Sequence, residues 1–198
     1  MNNKHLSARM LASIAVSAAI SFVLMLLDFS LPIAPAFIKL DLSDLPALIL
    51  SFSFGPLAGV LTELVKNMLH LFITSTAGVG ELSNFILGCA FVVPAGLIYK
   101  RNKNRKTALL AMLAGTVSFS VMGIFSNYFI MFPFYTKVSG IPMEAIIAMC
   151  QKILPFVDNQ FKVILLSVTP FNILKGILVS FVTFLLSKRL SPLIRGKK

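Results

Sequence analysis

Apolar residues run through this chain in long uninterrupted blocks, not in the alternation of a half-buried strand. Four blocks stand out, at about 7–27, 80–99, 107–131 and 163–187. Each has the roughly 20 residues that a helix needs to cross a hydrocarbon layer about 30 Å thick. The stretch SDLPALILSFSFGPLAGVLTELVKNMLHLFI at 43–73 is different. As a single helix it would be about 45 Å long, too long for an ordinary crossing. Gly55-Pro56 falls near its middle, and Pro56 removes a backbone donor and disfavours helix at the residue before it. The pattern therefore predicts two short helices, about 44–54 and 57–72.

Basic residues set the topology, because Lys and Arg in short loops mark the cytoplasmic side. They cluster at the N-terminus (Lys4, Arg9), in KRNKNRK at 100–106, and in the tail (Lys188, Arg189, Arg195, Lys197, Lys198). The three clusters share one side only if 43–73 crosses twice. The expected fold is an all-α polytopic bundle, a single domain over 1–198, with six transmembrane helices and both termini cytoplasmic. The outer connections are then about 28–43, 73–79 and 132–162, and Asp28, Asp41, Asp44, Glu144 and Asp158 lie in or beside them. Within the last, PMEAIIAMCQKILP has a helical apolar repeat and is expected to lie on the membrane surface as a partial lid.

Composition strengthens this picture. The chain is 57% hydrophobic and 13% charged, with mean hydropathy +0.90, whereas soluble domains have about 25% charged residues. The net charge of +11 would suggest nucleic acid in a soluble protein. Here the cations flank apolar runs, so they read as topology signals. The first run, Leu11 to Leu27, is longer than a signal-peptide core and lacks a clean cleavage site, so it reads as a retained helix. Cys89 and Cys150 lie in dissimilar surroundings and suggest neither a disulfide nor a zinc site. No G-x-x-x-x-G-K-[ST] loop, metal cluster or nucleophile–base pair appears, so the chain reads as a non-enzyme without cofactor or metal. His70 reads as a surface group.

Ionisable groups inside membrane helices are costly and point to function. Glu63, Lys66 and Asn67 lie on the third predicted helix; Glu81 and Asn84 on the fourth; Asn127 on the fifth; Asn172 and Lys175 on the sixth. All fall toward the outer half of the bilayer, as expected of one outward-open cavity with polar groups on an apolar wall. Asn172 and Lys175 are three apart and share a helix face, as do Glu81 and Asn84. Blander readings stay open: Glu63 can simply pair with Lys66, Glu81 can be a helix-start charge, and an asparagine can be interhelical glue. Amides that donate and accept, nearly cancelling charges and many Phe suit a neutral ligand with a flat apolar body and several hydroxyl or imide groups. On the first helix, Ala8 and Ala12, then Ala15 and Ala19, are small residues four apart that admit a close helix, from a partner or the same bundle.

Several stretches in order resemble the substrate-binding S components of energy-coupling factor (ECF) vitamin transporters, most closely the riboflavin-specific ones. They are Lys39-Leu-Asp-Leu-Ser-Asp-Leu-Pro46, Phe54-Gly-Pro-Leu-Ala-Gly59 with Glu63-Leu-Val-Lys-Asn67, Gly78-Val-Gly-Glu-Leu-Ser-Asn84, Pro94-Ala-Gly-Leu-Ile-Tyr99, Asn127-Tyr-Phe129 and Phe171-Asn-Ile-Leu-Lys-Gly176. The resemblance implies a six-helix subunit of a bacterial cell membrane that binds riboflavin from outside. It implies polar ligand contacts from Glu81, Asn84, Asn127, Asn172 and Lys175, with Leu40 and Asp41 near the ring system. It further implies that Ala8 and Ala12 face a transmembrane scaffold subunit (EcfT), and that two cytosolic ATPases supply energy. The alternatives are an S component for another vitamin, such as thiamine, folate or pantothenate, and a stand-alone ion-coupled carrier using Glu63 and Glu81.

Overall fold

A computed structural model of the chain describes residues 7–31, 35 and 38–195, with side chains up to Leu186. Lys4, Lys197, Lys198 and the side chains of Lys188, Arg189 and Arg195 lie outside the described residues. The elements are α1 (Ala8–Leu26), β1 (Phe29–Ser30), β2 (Lys39–Leu40), α2 (Asp44–Phe54), α3 (Pro56–His70), α4 (Val79–Arg101), α5 (Arg105–Ser126), α6 (Phe132–Lys137), α7 (Met143–Gln151), α8 (Gln160–Val163) and α9 (Thr169–Arg195). Five helical stretches are long and apolar enough to cross a membrane: Ala8–Leu26, Pro56–Ile73, Val79–Arg101, Arg105–Lys137 and Gln160–Leu186. α2 is apolar but shorter.

The side chains are sorted inside-out relative to a soluble bundle. Leu109, Leu113, Val117 and Val121 form an exposed stripe along α5, and Ile173, Ile177, Phe181 and Leu185 form another along α9. The buried faces of these helices mix polar and small groups such as Ser120, Ser126, Thr116 and Thr183 with apolar ones such as Met112, Phe119 and Val179. Ser83 and Ser126 hydrogen bond at 2.6 Å between α4 and α5, and a Cβ on Gly176 would meet Thr116 Cγ2 at 2.7 Å. Between lipid-facing helices, close backbone approach and short polar bonds replace the hydrophobic driving force.

The break at Gly55-Pro56 is as expected. Gly55 has φ +101°, which a Cβ disfavours, and Pro56 sits at the start of α3. α2 and α3 fold back as an antiparallel hairpin, since Lys66 near the end of α3 meets Asp44 at the start of α2. Residues 44–53 of α2 are buried on every face. α2 is thus the central post of the bundle, flanked by α1, α3, α4 and α9.

Two helices extend beyond the sequence expectation, for one physical reason. α5 passes through a π turn at Asn127–Met131 into α6 and ends at Lys137 rather than 131. α8 begins at Gln160 and passes through a second π turn, Ile164–Val168, into α9. Each π turn comes just before a proline, Pro133 or Pro170. Proline lacks an N–H and clashes with the carbonyl four residues back. The wider π register accommodates this, and Thr169 Oγ1 donates to the Ile164 carbonyl at 2.9 Å.

The all-α expectation needs one small correction. Phe29–Ser30 and Lys39–Leu40 pair as a two-stranded antiparallel ribbon, closed by an Asp28–Lys39 ion pair at 3.0 Å. The helix expected in the last connection is present as α7, and its Cys150 is fully buried. Ile146 and Cys150 join Ile38, Leu40, Phe132 and Phe171 in an apolar cluster that closes this end of the bundle. Cys89 and Cys150 are both free.

Candidate functional site

A cavity of about 190 Å³ opens at the end of the bundle that carries the 28–43 connection. Four parts of the chain build it: the strand segment around Ile38–Asp41, the first turns of α4, the α5–α6 junction, and the α8–α9 junction. Asn84, Asn127, Asn172, Lys175 and Asp41 all line it, among apolar groups such as Leu87, Phe119 and Phe171. Both π turns reach its wall, through Asn127 and Met131 on one side and Val168 on the other.

The amides are only partly satisfied. Asn127 Nδ2 donates to the Gly123 carbonyl at 2.8 Å. Asn84 Oδ1 and Asn172 Nδ2 are buried and have no hydrogen-bond partner among the described residues. An unpaired buried polar atom costs about 1–3 kcal/mol unless something fills the place. Asn172 reaches its position because Gly123 has no side chain, since a Cβ there would stand 2.1 Å from Asn172 Nδ2.

Beneath the amides lies a closed ring of charge. Lys175 Nζ is 2.9 Å from Asp41 Oδ2 and 3.1 Å from Asp44 Oδ2. Asp41 Oδ1 accepts from the Ser43 backbone N–H at 2.9 Å. Lys66 Nζ donates to Ser43 Oγ at 3.2 Å and to Asp44 Oδ1 at 2.8 Å, and pairs with Glu63 Oε2 at 2.6 Å. The ring ties the strand segment, the start of α2, α3 and α9 into one unit. Glu63 fits beside α4 because Gly88 is a glycine; a Cβ there would lie 2.4 Å from Glu63 Oε2. Three carboxylates face two ammonium groups, all buried. Buried charges are costly unless paired; each charge here has a partner of opposite sign, although neither Glu63 oxygen has a hydrogen bond among the described residues.

The structure separates groups that the sequence placed together. Glu63 and Lys66 do not line the cavity; they pair with each other under its floor, fully buried. Glu81 shares α4 with Asn84 but faces away from the cavity. Its carboxylate meets His70 Nδ1 at 2.7 Å, Thr74 Oγ1 at 2.9 Å and Thr76 Oγ1 at 3.1 Å. His70 is therefore no plain surface group: it helps pin the 71–78 connection. Leu40 is buried between Lys39 and Asp41, in the apolar cluster under α7 rather than on the cavity wall. Strand alternation sends its side chain opposite to theirs. Ala8 and Ala12 are exposed on α1, whose buried contacts come from Ile14, Ala18 and Ser21.

Asp44 and Ser43 are the site residues that sequence reasoning missed. Asp44 looked like a loop charge. The available signal was its place three residues after Asp41 at a helix start; its partners on α3 and α9 are 22 and 131 positions away along the chain.

The comparisons with known proteins agree with one another. The chain is 34% identical over 186 residues to riboflavin transporter RibU of Staphylococcus aureus (strain TCH60), covering 93% of this chain and 92% of that one. It is 32% identical over 197 residues to riboflavin transporter FmnP of Bacillus subtilis (strain 168), covering 98% and 97%. A solved structure of the S component of a bacterial ECF transporter superposes with a TM-score of 0.72 at 32% identity, covering 94% of this chain and 97% of that one. Residues 9–187 match the ECF transporter, substrate-specific component family, and with the inside-out helical bundle and its polar end cavity this establishes that the chain belongs to that family.

Proposed function

We propose that this chain binds riboflavin in the end cavity and is the substrate-binding subunit through which the vitamin enters a bacterial cell. Its role is transport and not catalysis, in a multi-pass protein of the bacterial cell membrane. The observation that carries the ligand reading is the unfilled hydrogen bonding at one cavity: Asn84 Oδ1 and Asn172 Nδ2, beside the Lys175 ammonium and an apolar wall. A ligand that fits must both accept and donate at a planar polar edge and carry an apolar body. Riboflavin has an imide-bearing tricycle and a hydroxylated tail, and the relatives named as riboflavin transporters match over nearly the whole chain.

In this reading Asn172, Lys175 and Asn127 address the ring edge, and Asn84 addresses the ribityl hydroxyls. Asp41 holds Lys175 in place. Leu40 backs the strand segment that borders the ring. Glu81 reaches a hydroxyl only by exchanging its bonds to His70, Thr74 and Thr76, so its contribution is coupled to the 71–78 connection.

The six-crossing topology belongs to this proposal. The α2–α3 hairpin crosses twice, both termini are cytoplasmic, and the cavity faces outside. The exposed small-residue face of α1, with Ala8 and Ala12, docks on the transmembrane scaffold subunit (EcfT), and two cytosolic ATPases supply the energy. A stand-alone carrier would need a carboxylate open to a coupling ion, yet Glu63 is paired with Lys66 and Glu81 with His70.

Purified protein decides the ligand. The expected result is a yellow preparation with flavin absorption, or quenching of added riboflavin fluorescence at a one-to-one ratio. A colourless protein that leaves riboflavin fluorescence unchanged sinks the flavin reading and leaves another vitamin as the ligand.

A further inference from the structure

The two buried lysines differ in how their protons are used. An ammonium group has three N–H donors. Lys66 has three oxygen partners inside the protein, hydrogen bonds to Ser43 Oγ and Asp44 Oδ1 and an ion pair with Glu63 Oε2. Lys175 has two, a hydrogen bond to Asp41 Oδ2 and an ion pair with Asp44 Oδ2. It lines the cavity with its Nζ 5.9 Å from the centre of the Phe119 ring. Asp44 is the one carboxylate the lysines share, one oxygen each.

We propose that Lys66, which does not reach the cavity, is a positioning residue for ligand binding: by holding Asp44 Oδ1 it fixes how far Asp44 Oδ2 draws Lys175, and so keeps one Lys175 N–H turned into the cavity. With Lys66 in place, Asp44 cannot rotate both oxygens onto Lys175. Ser43 reinforces this, since its Oγ accepts from Lys66 while its N–H holds Asp41, the other partner of Lys175. Without Lys66, Asp44 has only Lys175 to compensate it. A buried carboxylate then takes a two-pronged grip on that ammonium and draws it off the cavity wall. Lys66 thereby governs a ligand contact that it never makes.

The inference rests on the flavin-binding reading for its binding assay but has a second readout that does not. Four proteins form a double-mutant cycle. They are the wild type, Lys66→Met with Glu63→Gln, Asp44→Asn, and all three substitutions together. Removing Lys66 and Glu63 as a pair leaves the net charge of the ring unchanged, and Asp44→Asn leaves two carboxylates facing two lysines. With every carboxylate counted as ionised, no variant adds net buried charge. Riboflavin affinity is expected to fall about tenfold on removing the Lys66–Glu63 pair in the wild-type background, and by less than twofold when Asp44 is already Asn, a loss of coupling of about 1 kcal/mol. An equal fall in both backgrounds, or none in either, overturns the proposal.

The second readout is the side-chain ammonium ¹⁵N resonance of Lys175 in protein labelled at lysine, recorded without ligand. It is expected to shift on removing the Lys66–Glu63 pair and to be insensitive to that change in the Asp44→Asn background. An unmoved resonance overturns the proposal even where riboflavin binds. If the wild type binds no riboflavin, the flavin reading fails and the resonance still decides the role of Lys66.

Discussion

Two polar regions share the same end of the bundle and the first turns of α4. On the cavity side, Asn84 and Asn172 each keep a buried polar atom unpaired, and Lys175 keeps a donor in reserve. On the adjoining sector of α4, Glu81 is fully engaged by His70, Thr74 and Thr76. Thr74 and Thr76 in turn accept from the backbone N–H groups of Gly78 and Gly80 at 3.1 Å and 3.0 Å. Polarity alone does not distinguish the regions. Unused hydrogen-bonding capacity does, because a buried donor or acceptor without a partner is a standing cost that a ligand can remove. The saturated region holds a connection in place, and the unsaturated one has hydrogen-bonding capacity to spare.

The contrast breaks most readily at Lys175. Lys175→Met deletes the reserved donor and leaves Asp41 and Asp44 without their shared cation. Riboflavin affinity should fall about a hundredfold or more, since hydrogen bonds from charged groups contribute about 1.5–3 kcal/mol each. Titration by flavin fluorescence quenching measures it, and wild-type affinity in the variant would remove Lys175 from the site.

Gly123→Ala is the next largest effect and touches no ligand atom. Its Cβ would stand 2.1 Å from Asn172 Nδ2, so Asn172 must leave its place. A loss of binding of roughly thirtyfold is expected, larger than for Asn172→Ala because the displaced amide also intrudes on the cavity. Asn172→Ala should weaken riboflavin about tenfold while leaving the melting temperature nearly unchanged, because Nδ2 makes no bond to lose. A large drop in stability with unchanged affinity would turn Asn172 into a packing residue.

Glu81→Ala sharpens the comparison from the other side. It removes the partner that His70, Thr74 and Thr76 share, so it should lower the melting temperature by several degrees and weaken riboflavin only a few-fold. If Asn172→Ala and Glu81→Ala both leave affinity unchanged, the assignment of polar contacts fails. A further prediction concerns the ligand itself. A phosphorylated flavin should bind about tenfold more weakly than riboflavin, because Lys175 already serves two carboxylates and has little positive charge to spare. Equal affinities would show a cation that the ring of charges does not account for.

The sequence by itself determined the class of the protein and the list of costly residues. Run length, loop charge and Gly55-Pro56 predicted the α2–α3 break, because a proline and a left-handed glycine act on their immediate neighbours. Polar groups inside apolar runs announced themselves for the same local reason: their cost in hydrocarbon is independent of what they later meet. What they meet only the tertiary structure decided. Spacing put Glu81 and Asn84 on one face, yet adjoining sectors of that face open on a cavity and on a connection. Pro133 looked like a loop residue, and the π turn that carries helix past it depends on register, not on composition. Above all, the ring joins Asp41, Asp44, Lys66 and Lys175 across chain separations that no local pattern encodes, because pairing of buried charges is settled by which helices pack side by side.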